Sequence, residues 1–172
     1  MKKGLYTTVY PQGESPEGYP TEEHEPNSLV NVGLAGLFQV EGTGSNQSYA
    51  DLNGNLYEID DRSLGSGRLA VGLGTTAVSY DDNALENRVG TTDVFSEAHG
   101  LDDGEAVARF TYSGTIPNNS GGVWSVSETG LIASLYTTAG SNQRFLFARD
   151  TFPGQEVRDG EQISVDLEFT SP

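Results

Sequence analysis

Side chains with intrinsic reactivity are sparse in this 172-residue chain. Only two histidines are present, His24 within the acidic TEEHE stretch and His99 within SEAHGLDDG, so a triad of nucleophile, base and acid would have to be built on one of them. Neither a nucleophile elbow of the form GxSxG nor a zinc-binding HExxH accompanies them. His99 reads as a solvated loop residue. The pairs Asp81-Asp82 and Asp102-Asp103 have the right groups for proton transfer, but among 25 acidic residues such pairs are expected without any function. In DLNGN, Asp51, Asn53 and Asn55 occupy the first three ligand spacings of a calcium loop. Leu56 then stands where that loop needs glycine, and Arg62 where it needs a bidentate acid. A hairpin turn explains the same residues. GSGRLA, starting at Gly65, matches a loose dinucleotide fingerprint but runs into a strand-like segment, with no helix N-terminus to hold a phosphate. Trp124 and the eight tyrosines suggest a sugar-stacking platform, although a single Trp on an alternating strand is more often a core residue. Asn46-Gln47-Ser48 and Asn118-Asn119-Ser120 are glycosylation sequons in expected loops, which predicts that both asparagines are exposed. No catalytic, cofactor-binding or metal-ligating residue is expected, and no cofactor.

The elements that carry these residues read mostly as strands. Ile163, Val165, Leu167 and Phe169 alternate with Ser164, Asp166 and Glu168, the two-residue repeat of a strand with one buried face. Upstream, Leu131 to Tyr136 and Phe145 to Ala148 are apolar runs separated by a turn containing Gly140, Ser141 and Asn142, which predicts a hairpin. The C-terminus is thus expected to form three antiparallel strands. SYADL and LYEID flank Asn53-Gly54, a strong hairpin signal, and RLAVGLG is a further strand. VARFTYSGTI and VWSVSETG, joined by NNSGG, predict another hairpin. Two short helices are expected. One lies in NSLVNVGLAGLFQV, with Ser28 as N-cap. The other is a turn in SYDDNALENRVG, where Asn83 and Glu86 have capping-box spacing. Residues 1–26 hold four of the seven prolines and read as an extended arm, held either by a neighbouring subunit or along its own domain.

Composition bounds the function. A 172-residue chain supports one core and hence one domain, residues 27–172, preceded by the arm. Its 25 acidic and 9 basic residues leave a net charge of −16, which repels phosphate and argues against a nucleic-acid partner. Acid spread along a chain in this way is also the pattern of proteins adapted to molar salt, where the Debye length falls to about 3 Å and self-repulsion is screened. Loss of structure at low salt is the corresponding expectation. No apolar run approaches the length of a membrane span, and MKKGLYTTVY turns polar too early for a signal peptide, predicting an unprocessed start. The absence of cysteine excludes disulfides and thiolate metal sites.

Two blocks bring a resemblance. AVGLGTTAVSYDDNALENRVG is similar to the pattern "GxGttapsxxDtaLxnEv". WSVSETGLIASLY…FLFARDTF…VRDGEQISVDLEF is similar to "itEvGLf…llaRdxF…vxxGdxltVxyxitf". Together they resemble a class of small β-rich virion proteins from the structural modules of tailed viruses of bacteria and archaea, over most of residues 28–170. NSLVNVGLAGLF resembles the opening helix of that class. The resemblance implies no catalytic residues. It implies architectural roles for Asp82, Leu85, Glu86, Glu128, Gly130, Leu131, Ala148 and Arg149, with Arg149 pairing an internal carboxylate such as Glu128 or Glu86. The hairpin at 48–59 and the Pro-rich arm stand out as additions to the shared core.

The expectation is therefore a mainly β protein, an antiparallel β-sandwich (jelly-roll-like) with one or two short helices and an extended N-terminal arm. Its expected role is non-enzymatic: a structural component on the exterior of a tailed virion infecting a haloarchaeon, a capsid decoration or vertex turret, or else a tail, baseplate or tail-fibre component. The expected partners are further copies of itself, in a trimer or pentamer, and other virion proteins. A glycan-binding host-adhesion module built on an exposed Trp124 is the rival from another class, and a His99-dependent hydrolase a remote third.

Overall fold

A computed structural model describes residues 5–11, 48–79, 81–93, 96–102 and 107–170. Nine strands run through them: β1 (Leu5–Pro11), β2 (Ser48–Ala50), β3 (Leu56–Gly72), β4 (Arg88–Asp93), β5 (Ser96–Asp102), β6 (Val107–Pro117), β7 (Trp124–Thr137), β8 (Asn142–Val157) and β9 (Gln162–Thr170). All pairings are antiparallel, and no helix occurs among the described residues. A four-stranded sheet has the order β1-β9-β6-β5. A five-stranded sheet has the order β2-β3-β7-β8, with β4 also paired to β3.

The alternation read in β9 is what the strand displays: Ile163, Val165, Leu167 and Phe169 are buried, while Ser164, Asp166 and Glu168 are half-buried. Those four apolar residues share one core cluster with Leu69 and Val71 of β3, Ile116 of β6, Leu131, Ala133 and Leu135 of β7, and Phe145 and Phe147 of β8. Both sheets thus contribute to one core. The continuous apolar runs of β7 and β8 have a different cause, because both faces of these strands are covered. On the second face Ala70, Ile132 and Leu146 pack with Leu85 from the loop between β3 and β4, and with Leu52 from the loop between β2 and β3. A register shift sets the phase: Leu131 pairs Ala148 but Ile132 pairs Leu146, so Phe147 is an extra residue on β8. It joins Ala148 in the main core.

Several expectations need correction. NNSGG does not close a hairpin, because β6 pairs β5 and β9 while β7 pairs β3 and β8, so the link passes from one sheet to the other. The C-terminal segment does form three strands, but only β7 and β8 form a hairpin; β9 leaves for the other sheet, between β1 and β6. A two-residue repeat specifies a buried face without saying which sheet supplies the neighbours. The helical turn at 81–87 is absent: Glu86 does not reach back to Asn83 but accepts hydrogen bonds from Thr75 and Thr76. His99 lies in strand β5, opposite Phe110, rather than in a loop. The expected hairpin at 48–59 is present, paired from Ser48 opposite Glu58 to Ala50 opposite Leu56. LYEID and the first five residues of RLAVGLG, read as two strands, are parts of the single irregular strand β3, which also contains the GSGRLA segment, while Leu73 and Gly74 lie beyond its end. The helix expected over NSLVNVGLAGLFQV lies outside the described residues, as do most of the arm, His24 and Asn46. Leu5–Pro11 pairs along β9 of its own chain.

Candidate functional site

Glu128 sits in β7, where both faces of the strand are covered, and is 0% exposed. A carboxylate in such a place must find partners within the protein. Its Oε1 accepts from the backbone N–H of Gly74 at 3.0 Å and of Asn87 at 2.9 Å. Its Oε2 accepts from the N–H of Glu86 at 3.1 Å and from Arg149 Nε at 3.0 Å. Gly74, Glu86 and Asn87 belong to the loop between β3 and β4, whose ends are also tied by Leu73 N–H donating to Asn87 O at 3.0 Å. One buried carboxylate therefore holds both ends of this loop.

Arg149 completes the arrangement from β8, opposite Gly130 of β7. Its side chain is 3% exposed. Nη1 donates to Asp82 Oδ2 at 2.8 Å, and Asp82 Oδ2 also accepts from Ser79 N–H at 3.0 Å. Nη2 is 3.0 Å from Glu128 Oε2 and 3.9 Å from Glu86 Oε2. That is ion-pair distance, although the N–H directions of Nη2 complete no hydrogen bond. Burial works against the guanidinium charge, but the bonds to Asp82 and Glu128 outweigh it and raise the Arg149 pKa. Glu86 lies at the rim, its pKa lowered by the hydroxyl and N–H of Thr76 and the N–H of Thr75. Small residues make the space. A Cβ on Gly72 would overlap Glu128 Oε1 and lie 2.7 Å from Asn87 O, and one on Gly74 would lie 2.7 Å from Glu128 Oε1. A Cβ on Gly130 would lie 3.0 Å from Leu85 Cδ2 and 2.9 Å from Leu146 Cδ1.

Chemically this is a clamp. Its Arg149 and Glu128 side chains are shut away from solvent and its acceptors are engaged, so it positions a loop over the sheet. Asp82, Leu85, Glu86, Glu128, Gly130 and Arg149, which the resemblance marks as architectural, all converge here, and Leu131 and Ala148 join the core alongside. The pairing of Arg149 with Glu128 is direct; with Glu86 it is longer. Asp81, by contrast, is exposed.

A second polar centre lies where the link from β6 to β7 begins. Asn118 follows β6 and is 0% exposed, contrary to the exposure expected of a sequon. Its Nδ2 donates to Gly122 O at 2.8 Å and Val157 O at 2.7 Å, while Oδ1 accepts from Ser120 N–H at 3.0 Å and Ser120 Oγ at 2.7 Å. Its N–H donates to Glu161 O at 2.8 Å, and its carbonyl accepts from Gly160 N–H at 2.7 Å. Asn118 thereby ties the β6–β7 link to the β8–β9 turn, the two places where those consecutive strands change sheets. Trp124, at the start of β7, is 9% exposed and packs in the main core, so it offers no stacking face to a sugar.

The DLNGN turn also has an internal account. Asp51 is buried, and its Oδ1 accepts from the N–H of Asn53 at 2.9 Å and of Asn55 at 2.8 Å. The side-chain amides of Asn53 and Asn55 point their nitrogens toward Oδ2, at 3.5 Å and 3.4 Å. Asn83 Nδ2 donates to Asp51 O at 2.8 Å, pinning this hairpin against the β3–β4 loop. No cluster of three or more His, Cys, Asp or Glu arranged for a metal occurs among the described residues. Comparison with known proteins finds no matching family model, no matching curated protein and no matching solved structure.

Proposed function

We propose that the chain is a non-enzymatic structural protein of a tailed virus particle, an exterior capsid decoration or vertex turret subunit of a haloarchaeal virus. In this reading the two sheets are the layers of a jelly-roll-like sandwich, and the product of the fold is a set of rigid surfaces. The observation that carries it is the clamp. The two stretches that resemble virion proteins are distant in sequence, yet their matched polar residues Asp82, Glu86, Glu128 and Arg149 meet in one network. A buried ion network fixes a loop while offering nothing to a substrate, which suits a body used for its shape. The dispersed charge of −16 supports a setting of high salt. A tail or baseplate component is the second reading, favoured by the same clamp and separated from the first by symmetry.

The test is imaging of the full-length protein in about molar salt by electron microscopy, joined to light scattering for mass. Pentamers are expected for a shell component and sixfold rings for a tail component, while a threefold assembly fits both and leaves the site of incorporation in the particle to separate them. A chain that stays monomeric and never joins a particle overturns both readings.

A further inference from the structure

In a chain this acidic, the outer face of the five-stranded sheet is unusual in gathering positive charge. Arg68, Arg88 and Arg144 line two contiguous cavities of about 500 Å3 and about 230 Å3, which share Arg88, Ile132 and Arg144. These are three of the seven arginines in the sequence. Register explains the grouping: Arg68 stands opposite Ile132, and Arg144 opposite Ser134, two residues further along β7 on the same face. Arg68 is paired to Asp93 at 2.8 Å. Arg88 and Arg144 are exposed and have no carboxylate partner among the described residues. The larger cavity adds Asn53, Asn142 and Gln143 over an apolar floor that includes Leu85 and Ile132. Its one acidic lining residue, Asp51, is 2% exposed and its carboxylate is turned onto the N–H groups of Asn53 and Asn55.

We propose that this cavity is a carboxylate-binding site whose ligand is an acidic segment of a second copy of the chain, bound through Arg88 and Arg144. The inference rests on the oligomeric reading above. A guanidinium presents a planar fork of donors that matches a carboxylate in bidentate geometry, and the neighbouring amides can hold the oxygens left over. The chain itself supplies the complementary group, with 25 acidic side chains against 9 basic. Copies carrying −16 each repel at long range. At about 1 M salt the Debye length is about 3 Å, so this repulsion is screened while carboxylate and guanidinium in direct contact still attract. Assembly is therefore promoted by salt, the reverse of an ordinary charge-steered contact.

The experiment is analytical ultracentrifugation of the full chain from about 0.2 M to about 3 M NaCl, comparing wild type with Arg88→Gln/Arg144→Gln, Arg88→Glu/Arg144→Glu and the control Arg158→Gln. Near-ultraviolet dichroism confirms folding in each. The Gln pair is expected to raise the midpoint concentration of assembly about tenfold or more, the Glu pair to abolish assembly, and the control to leave it unchanged. Citrate, a soluble tricarboxylate, should compete with wild-type assembly and have no effect on the Gln pair. Assembly unchanged in both paired variants overturns the site and leaves the oligomeric reading standing. A wild-type chain that is monomeric at every salt concentration overturns that reading as well.

Discussion

At the scale of single residues, Arg149 is where charge and burial are most sharply opposed. Removing one member of a buried pair strands the other, which costs about 3–5 kcal/mol. Arg149→Met keeps the packing volume but leaves Glu128 without its cation and Asp82 without the Nη1 bond. Chemical denaturation is expected to show a loss in that range. The double variant Arg149→Met/Glu128→Gln should recover part of it, since an uncharged amide is cheaper to bury. Equal stability of wild type and Arg149→Met would show that the clamp contributes nothing net. Asp51 makes a pH-dependent contribution. Burial raises its pKa, but the N–H groups and side-chain amides of Asn55 and Asn53 prevail and bring it below the ordinary value of 3.8. A depressed folded-state pKa means that the stabilisation is complete above the unfolded value and is lost as pH falls through the folded one. Asp51→Asn keeps an oxygen acceptor without the charge. The difference in Tm between wild type and this variant is expected to be widest near about pH 6 and to close below about pH 4. A difference independent of pH would remove the charge from the account.

Among elements, the two inter-sheet crossings depend on each other through Asn118. Asn118→Ala deletes both Nδ2 donors and the Oδ1 acceptor, leaving Val157 O and Ser120 N–H without these partners. Buried groups left unsatisfied cost about 1–3 kcal/mol each, so a loss of about 2–4 kcal/mol in an unfolding titration is expected. Asn118→Asp should do no better, since it keeps the acceptor but cannot donate to Gly122 O and Val157 O. The same crossings mark where sequence reading stopped being informative. The β2–β3 and β7–β8 hairpins are legible because turn residues and alternating runs act within a few positions of each other. The partners of β6 and β9 are not, since the choice of sheet is made by contacts between Ile116, Val126, Ile163 and Phe145, which no local pattern encodes. Asn118 was hidden inside a sequon. Its signal was positional, a hydrogen-bonding side chain directly after a strand that ends in Pro117. Glu86 has capping spacing, but Thr75 and Thr76 outbid Asn83 for its carboxylate. Glu128 was legible only through the resemblance, since its neighbours Ser127 and Thr129 are polar and lie before the apolar run that starts at Leu131. Its pairing with Arg149 came from the resemblance too, because spacing alone does not join residues 21 apart on neighbouring strands. The Arg68, Arg88 and Arg144 grouping had no signal in the sequence at all, since it depends on the register of β3, β7 and β8 and on where β4 begins.

For the whole molecule, the deciding quantity is the net charge of −16 from 25 acidic and 9 basic residues. The clamp is buried and barely feels salt, whereas exposed acids such as Asp81, Glu156 and Asp159 repel one another through water and are screened by it. Two effects of salt therefore have opposite signs. Screening of surface ion pairs such as Arg68 with Asp93, at 2.8 Å, lowers stability, but such pairs are worth only about 0–1 kcal/mol. Screening of the repulsion raises stability, and with so large an excess of acid it should dominate. Tm is expected to rise steadily from about 0.1 M to about 2 M NaCl. Sucrose, which favours burial by exclusion from the protein surface without screening charge, separates this effect from a general solvent effect. The variant Asp81→Asn/Glu156→Gln moves the charge from −16 to −14, each substitution removing one negative charge. Its Tm should lie above the wild type at low salt and converge with it at high salt. A Tm that falls with NaCl, or a variant that tracks the wild type at every concentration, would mean that the acid excess does not govern stability, and the case for a protein fitted to molar salt would go with it.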